Sequence, residues 1–181
     1  MSCATGHLIA PAGPADADAL ARVHVQAWRE TYNGILPPAY LQGLSIPLQA
    51  RRWRRRLLMD NEFTLIADDG QGVAGYCSGD WARPPTADGE GEISTLYVLR
   101  RAQGQGVGRA LLTGAARVLA ARGATSLVIW VLRDNAPARS FYEHLGGCGE
   151  VTGGEWVGGG LVASVGYRWP DLKGWLESPL P

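Results

Sequence analysis

The sequence predicts an α/β domain built on a mixed, mostly antiparallel sheet, and two observations carry that expectation. Helical patterns come first, a β-hairpin signal follows, and the second half alternates strand, helix, strand, helix before a final hairpin. This order puts one parallel crossover, expected to be right-handed, in the middle of an otherwise antiparallel sheet. The length of 181 residues suits one domain, placed here at residues 1–175 with a short tail at 176–181.

Pro14 to Tyr32 reads as a helix, with Ala19, Leu20, Val23, Ala27 and Trp28 at helical spacing and Asp16 and Asp18 near its positive end. Asn33-Gly34 and Pro37-Pro38 break it, and a second helical stretch, interrupted near Ser45-Ile46-Pro47, runs to about Met59. Phe63 to Ala67 and Val73 to Cys77 are strand-like, joined through Asp68-Asp69-Gly70. A polar loop from Arg83 to Gly91 leads to a third strand-like run, Glu92 to Val98. The glycine-rich turn Gln103 to Gly108 opens a helix whose Val107, Leu111, Ala115, Val118 and Leu119 share one face, and Gly123 ends it. Ser126 to Leu132 is a nearly continuous apolar run, typical of a buried strand. Asn135 to Leu145 is helical, closed by Gly146-Gly147. The last strand candidates lie around Glu150 to Thr152 and at Leu161 to Trp169, with Gly153, Gly154 and Gly158 to Gly160 read as the loop between them.

Composition excludes several classes. Hydrophobic residues make up 46% and charged residues 19%, enough to bury a core and too apolar for wholesale disorder. No apolar run approaches the ~18 residues of a membrane helix, and Met1 to Gly13 lacks the basic-then-apolar order of a secretory signal. Cys3, Cys77 and Cys148 are sparse and lack CxxC spacing, which points to reduced thiols and a cytoplasmic address. A formal net charge of zero supplies no field toward nucleic acid or an acidic membrane, and the run Arg51 to Arg56 reads as a solvated helix face. Lys173 is the one lysine, so a GxxxxGK phosphate loop cannot be written and a Schiff base would rest on a peripheral residue. His24 and His144 have no metal-like partner spacing, and no metal is expected. Cys77, in an apolar strand run, reads as a buried structural thiol rather than a nucleophile.

The most informative stretch joins Glu92 to Val98 with Gln103-Gly104-Gln105-Gly106-Val107-Gly108-Arg109. A strand feeds a turn without bulky side chains, and the first N–H groups of the following helix have no internal partner. Such a site suits a pyrophosphate; the alternative is a plain helix start in a glycine-rich chain. A dinucleotide fingerprint G-x-G-x-x-G fails, because its last position falls on Arg109 or Leu111. In Asn135 to Gly146, Asn135 suits a helix cap ahead of Pro137, and Ala138, Phe141, Tyr142 and Leu145 share a face. Spacing alone leaves open whether that helix only packs aromatics on the sheet.

The two stretches resemble the motifs of the GNAT superfamily of N-acetyltransferases, [Gln/Arg]-x-x-Gly-x-[Gly/Ala] and Asn-x-x-Ala-x-x-Phe-Tyr-x-x-x-Gly, and the resemblance spans nearly the whole chain. It implies the GNAT fold, a sheet of six to seven strands flanked by helices with a splayed central groove for acetyl-CoA, the acyl donor. It further implies that Gln103, Gly104, Gln105, Gly106, Val107, Gly108 and Arg109 hold the coenzyme A pyrophosphate. Leu96, Tyr97 and Val98 would pair with the pantetheine, one N–H near Val98 would polarise the thioester, and Asn135 and Ser140 would contact the coenzyme. By the same resemblance Tyr142 is the general acid for the leaving thiolate, and Gly146-Gly147-Cys148, standing where the family commonly has Gly followed by Phe, implies a looser entry to the sixth strand. Glu92, eleven residues before Gln103, matches the glutamate base of histone acetyltransferases of the superfamily. A solvated strand-start carboxylate is the other reading of Glu92. Trp28 and Tyr32 would wall the acceptor site, with core packing equally open for Trp28.

The resemblance therefore implies an N-acetyltransferase that passes acetyl directly to a primary amine of a small molecule. A protein N-terminus as acceptor and an acyl-CoA-binding sensor without turnover are the rival readings. Glu30, Asp80, Asp88, Glu90, Glu92, Glu150 and Glu155, against Arg29 and Arg83, give the expected acceptor mouth an acidic excess that would favour a cationic amine. Nucleic-acid and membrane partners are not expected, and the glycine-rich final hairpin is compatible with a homodimer.

Overall fold

A computed structural model describes residues 8–59, 62–82 and 89–178. Cys3, most of the Arg83 to Gly91 loop and the last three residues of the tail lie outside them. Among the described residues seven strands form one sheet in the order β1-β2-β3-β4-β5-β7-β6. The strands are β1 Leu8–Pro11, β2 Phe63–Asp68, β3 Val73–Trp81, β4 Glu90–Val98, β5 Ser126–Leu132, β6 Cys148–Val157 and β7 Gly160–Trp169. Every neighbouring pair is antiparallel except β4 and β5, which are parallel. The helices are α1 Ala17–Thr31, α2 Pro38–Gln42, α3 Ile46–Arg56, α4 Val107–Ala121, α5 Ala136–His144 and α6 Leu172–Glu177. None is long and apolar enough to cross a membrane.

Helices cover both faces of the sheet. On one face Leu111, Leu112, Ala115, Ala116 and Leu119 of α4 pack on Ile93, Leu127 and Ile129, joined by Tyr142, Trp169 and Leu172. On the other, Leu20, Val23 and Ala27 of α1 and Trp53 of α3 bury Tyr76 of β3, following the helical spacing read from the sequence. A smaller cluster of Tyr32, Leu36, Leu41 and Leu132 ties the α1–α2 linker to the end of β5.

Several local expectations change. The predicted first helix begins as a 3-10 turn, Pro14–Asp16, before α1. β1 and α6 are additional elements. β1 is a four-residue edge strand that exists through its pairing with β2. α6 is capped by Asp171, which accepts from the Gly174 N–H at 2.9 Å, and it buries Leu172. Gly153 and Gly154 belong to β6 rather than to a loop, because larger neighbours occupy the space a side chain would need. A Cβ on Gly153 would stand 2.8 Å from the Trp130 ring. Only Gly158 and Gly159, at φ +65° and +87°, make the hairpin turn. Gly146-Gly147 is not loose either: a Cβ on Gly147 would lie 2.8 Å from the Trp169 ring, so glycine there admits close packing.

Candidate active site

The β4–β5 ladder runs from Glu90 opposite Ser126 to Ile93 opposite Ile129 and stops there, while β4 continues to Val98 and β5 to Leu132. Between the parted ends opens a cleft of about 820 Å³, lined by Ser94 to Val98, Ile129 to Val131, Asn135, Phe141, Tyr142 and the glycine turn. The direction of the freed backbone groups follows from one bond. Leu99 N–H donates to Ala74 O on β3 at 2.8 Å, and successive N–H groups of an extended chain point to opposite sides. Val98 and Leu96 therefore turn their N–H groups away from β3, toward the space β5 has left. The Val98 carbonyl does the same, and Gln103 Nε2 donates to it at 2.9 Å.

The turn closes one end of this cleft. Gly104 and Gly106 have φ of +71° and +82°, and a Cβ on either would meet nothing within 4 Å. Both need glycine for their backbone conformation, and both face open space. The first intrahelical donor of α4 is Ala110 N–H, to Gly106 O at 2.9 Å; the N–H groups ahead of it have no carbonyl one turn back. A 15-residue helix thus aims the positive end of its dipole at a space free of side chains, which fits a pyrophosphate. Gly104, Gly106, Gly108 and Arg109 line the cleft, while the Val107 side chain is buried in the core. Gln103 and Gln105 each donate through Nε2, to Val98 O at 2.9 Å and to Arg101 O at 2.8 Å, which ties both side chains to the turn's own backbone.

α5 brings Asn135 and Tyr142 to the opposite wall. The Asn135 side chain is buried and caps α5 by accepting from Ala138 N–H at 3.3 Å. Tyr142 is 5% exposed, among the rings of Phe141, Tyr167 and Trp169. Burial raises its pKa far above the ordinary phenol value, so the hydroxyl keeps its proton. Ser140 is exposed and stands apart from the cleft-lining residues.

On the acceptor side, Tyr32 OH lies 3.0 Å from Tyr97 OH, and both line the cleft. Trp28 stacks on Tyr32, Tyr40, Tyr97 and His24, its ring packed behind the wall rather than forming it. Glu92 pairs with Val128, one residue before the strands part, and does not itself line the cleft. Glu155 of β6 has a pKa raised first by desolvation of its carboxyl and then by the Glu92 carboxylate, although the residue as a whole is exposed. The expected acidic excess is smaller than the sequence suggests. Glu90 is buried against Arg168, whose Nε is 3.0 Å from Oε1, and Asp80 has Arg122 at 3.8 Å; Glu30 accepts from the Arg100 backbone N–H at 2.9 Å, which leaves the local charge unchanged. Asp88, Arg83 and the Glu150 side chain lie outside the described residues. Cys77 is fully buried with its thiol pKa pushed up, which agrees with a structural role. Among the described residues no group of three His, Cys, Asp or Glu is placed to hold a metal ion.

Among the cleft residues that escaped sequence reading are Ser94 and Trp130. Ser94 lines the cleft because it is an extra residue on β4, and Trp130 because Gly153 and Gly166 on two other strands leave room for its ring. Neither carries a local signal, since both depend on partners far along the chain.

Residues 25–147 match the Acetyltransferase (GNAT) family. The chain is 34% identical over 155 residues to the uncharacterized N-acetyltransferase YuaI of Bacillus subtilis, covering 85% of this chain and 87% of that protein. It is 44% identical over 82 residues to a mycothiol acetyltransferase of Beutenbergia cavernae, which covers 45% of this chain and 27% of that one. Among solved structures, the PaiA N-acetyltransferase of Thermoplasma acidophilum in complex with coenzyme A superposes with a TM-score of 0.70 at 18% identity, over 91% of this chain and 99% of that chain. The parted β4 and β5, the glycine turn at the head of α4 and these likenesses lead to one conclusion: the chain belongs to the acetyltransferase (GNAT) family and is an N-acetyltransferase.

Proposed function

We propose that the chain transfers acetyl from acetyl-CoA directly to the primary amine of a small molecule, with both substrates bound at once. The observation that carries this reading is the break of the β4–β5 ladder after Ile93, which opens onto the head of α4 on one side and onto Tyr32 on the other. The backbone of Gln103 to Arg109 holds the pyrophosphate, and Leu96 and Val98 offer their N–H groups to the pantetheine arm and the thioester oxygen. Asn135 borders the same arm. Glu92 takes the ammonium proton through water, which suits its place just behind the end of the cleft. The amine nitrogen then attacks the thioester carbon, the carbon–sulfur bond breaks, Tyr142 gives its proton to the departing thiolate, and the second proton that the nitrogen sheds on becoming an amide restores the phenol.

Tyr32 forms part of the acceptor wall, with Trp28 packed behind it. Of the acids expected at the mouth, Glu92 stands on β4 and Glu155 on β6, and the Glu92 carboxylate contributes to raising the pKa of Glu155. They favour an amine that carries positive charge. The test is mass spectrometry of products from acetyl-CoA and a mixed pool of polyamines, amino sugars, arylamines, acidic amino acids and peptides, at two salt concentrations. Acetylation of cationic small amines, weakened by salt, is expected. Products confined to peptide N-termini would overturn the small-molecule reading, and a preference for neutral or acidic amines would overturn the cationic one.

A further inference from the structure

β3 and β4 pair Ser78 with Thr95 and Gly79 with Ile93, so Ser94 is a bulge residue without a ladder partner. The bulge sets the phase of everything after it. A one-residue slip would exchange the Leu96 and Val98 N–H groups, which face the cleft, for those of their neighbours. Something must hold the extra residue, and the structure shows what does. The Ser94 hydroxyl lies 3.0 Å from Glu62 Oε1 and 3.3 Å from Ser78 O. Its single proton goes to the carboxylate, the closer and charged acceptor. Arg56, at the end of α3, grips Glu62 through Nε and Nη2, and its Nη2 also donates to Ser94 Oγ at 3.1 Å. The guanidinium is itself seated 5.0 Å over the Trp53 ring, whose residue is buried between α1 and α3.

We infer that Glu62, oriented by Arg56, is a positioning residue that pins the β4 bulge through the Ser94 hydroxyl and so aims the Leu96 and Val98 N–H groups at the thioester. This rests on reading the β4–β5 cleft as the acetyl-CoA site. Glu62 touches neither substrate; it acts through Ser94.

The test compares Ser94→Ala, Glu62→Gln and the hydroxyl-preserving Ser94→Thr with wild type. Amide signals of Leu96 and Val98 are followed by 1H–15N NMR as coenzyme A is added, and kcat, KM and the coenzyme A Kd are measured alongside. In Ser94→Ala and Glu62→Gln the two amide shifts should shrink to about half or less and kcat should fall roughly 10-fold or more, while Kd changes no more than about threefold. Ser94→Thr should restore both. Ser94 is exposed, so its alanine variant carries the test even if Glu62→Gln folds poorly. Wild-type shifts and kcat in Ser94→Ala, equal losses in Ser94→Ala and Ser94→Thr, or wild-type coenzyme A binding that moves neither amide would each overturn the inference. Failure of the wild type to acetylate any amine would instead refute the small-molecule transfer reading, and the amide shifts would still decide the role of Glu62.

Discussion

Ile93 and Leu96 face the same core although they stand three positions apart, an offset that puts side chains on opposite faces of a regular strand. The extra residue, Ser94, absorbs the difference, and it does so where β5 leaves β4. The same local defect therefore keeps the core side of β4 apolar and frees its edge for a ligand.

Coenzyme A at ~100 times its Kd should stabilise the protein by about 2.7 kcal/mol, read as a rise in melting temperature. Gly106→Val should abolish that rise. With φ at +82°, the same change should also cost the ligand-free protein about 1–2 kcal/mol, so the free and bound forms must be melted separately. A variant destabilised alone but stabilised by coenzyme A as much as wild type would remove the turn from the binding site.

Tyr142→Phe should lower kcat roughly 10²-fold with coenzyme A binding retained. Because burial holds the phenol protonated, no step attributable to Tyr142 should appear in the kcat profile up to about pH 10. Turnover near wild type in the Phe variant would leave Tyr142 as packing between Phe141 and Trp169.

His24 should make the protein sensitive to mild acid. Burial first, then Arg56 and Arg52, lower its pKa from 6.5 to about 4, and its Nδ1 lies 2.7 Å from Tyr76 OH. A depressed folded-state pKa means that the unfolded chain takes up the proton first, so this stability is complete above pH 6.5 and lost as pH falls toward 4. The loss is on the order of 2–3 kcal/mol at most. Urea melts at pH 7, 5.5 and 4.5 should show a steeper decline in wild type than in His24→Gln; parallel declines would count against this assignment.

Arg168→Met should destabilise by about 3–5 kcal/mol, because Glu90, only 3% exposed, would keep its charge without its partner. Adding Glu90→Gln to that variant should recover part of the loss. Equilibrium unfolding of the single and double variants checks both, and additive losses would mean that the pair is not coupled.

Local pattern made much of this protein legible from its sequence. The apolar stripes of α1 and α4, the Asn135 cap, the buried run of β5 and the glycine turn at Gly104 and Gly106 arise from contacts among residues a few positions apart, or from conformations that glycine alone adopts freely. The helix that carries Tyr142 was readable for the same reason. The tertiary structure alone decided where β4 bulges, how far β5 stays paired, and that Glu90 is buried against Arg168. Those outcomes join Ser94 to Arg56 across 38 positions and Glu90 to Arg168 across 78, and they fold Gly153 beneath Trp130. Strand register and ion pairing are settled by partners that meet only when the sheet closes, so residue spacing along the chain holds no trace of them.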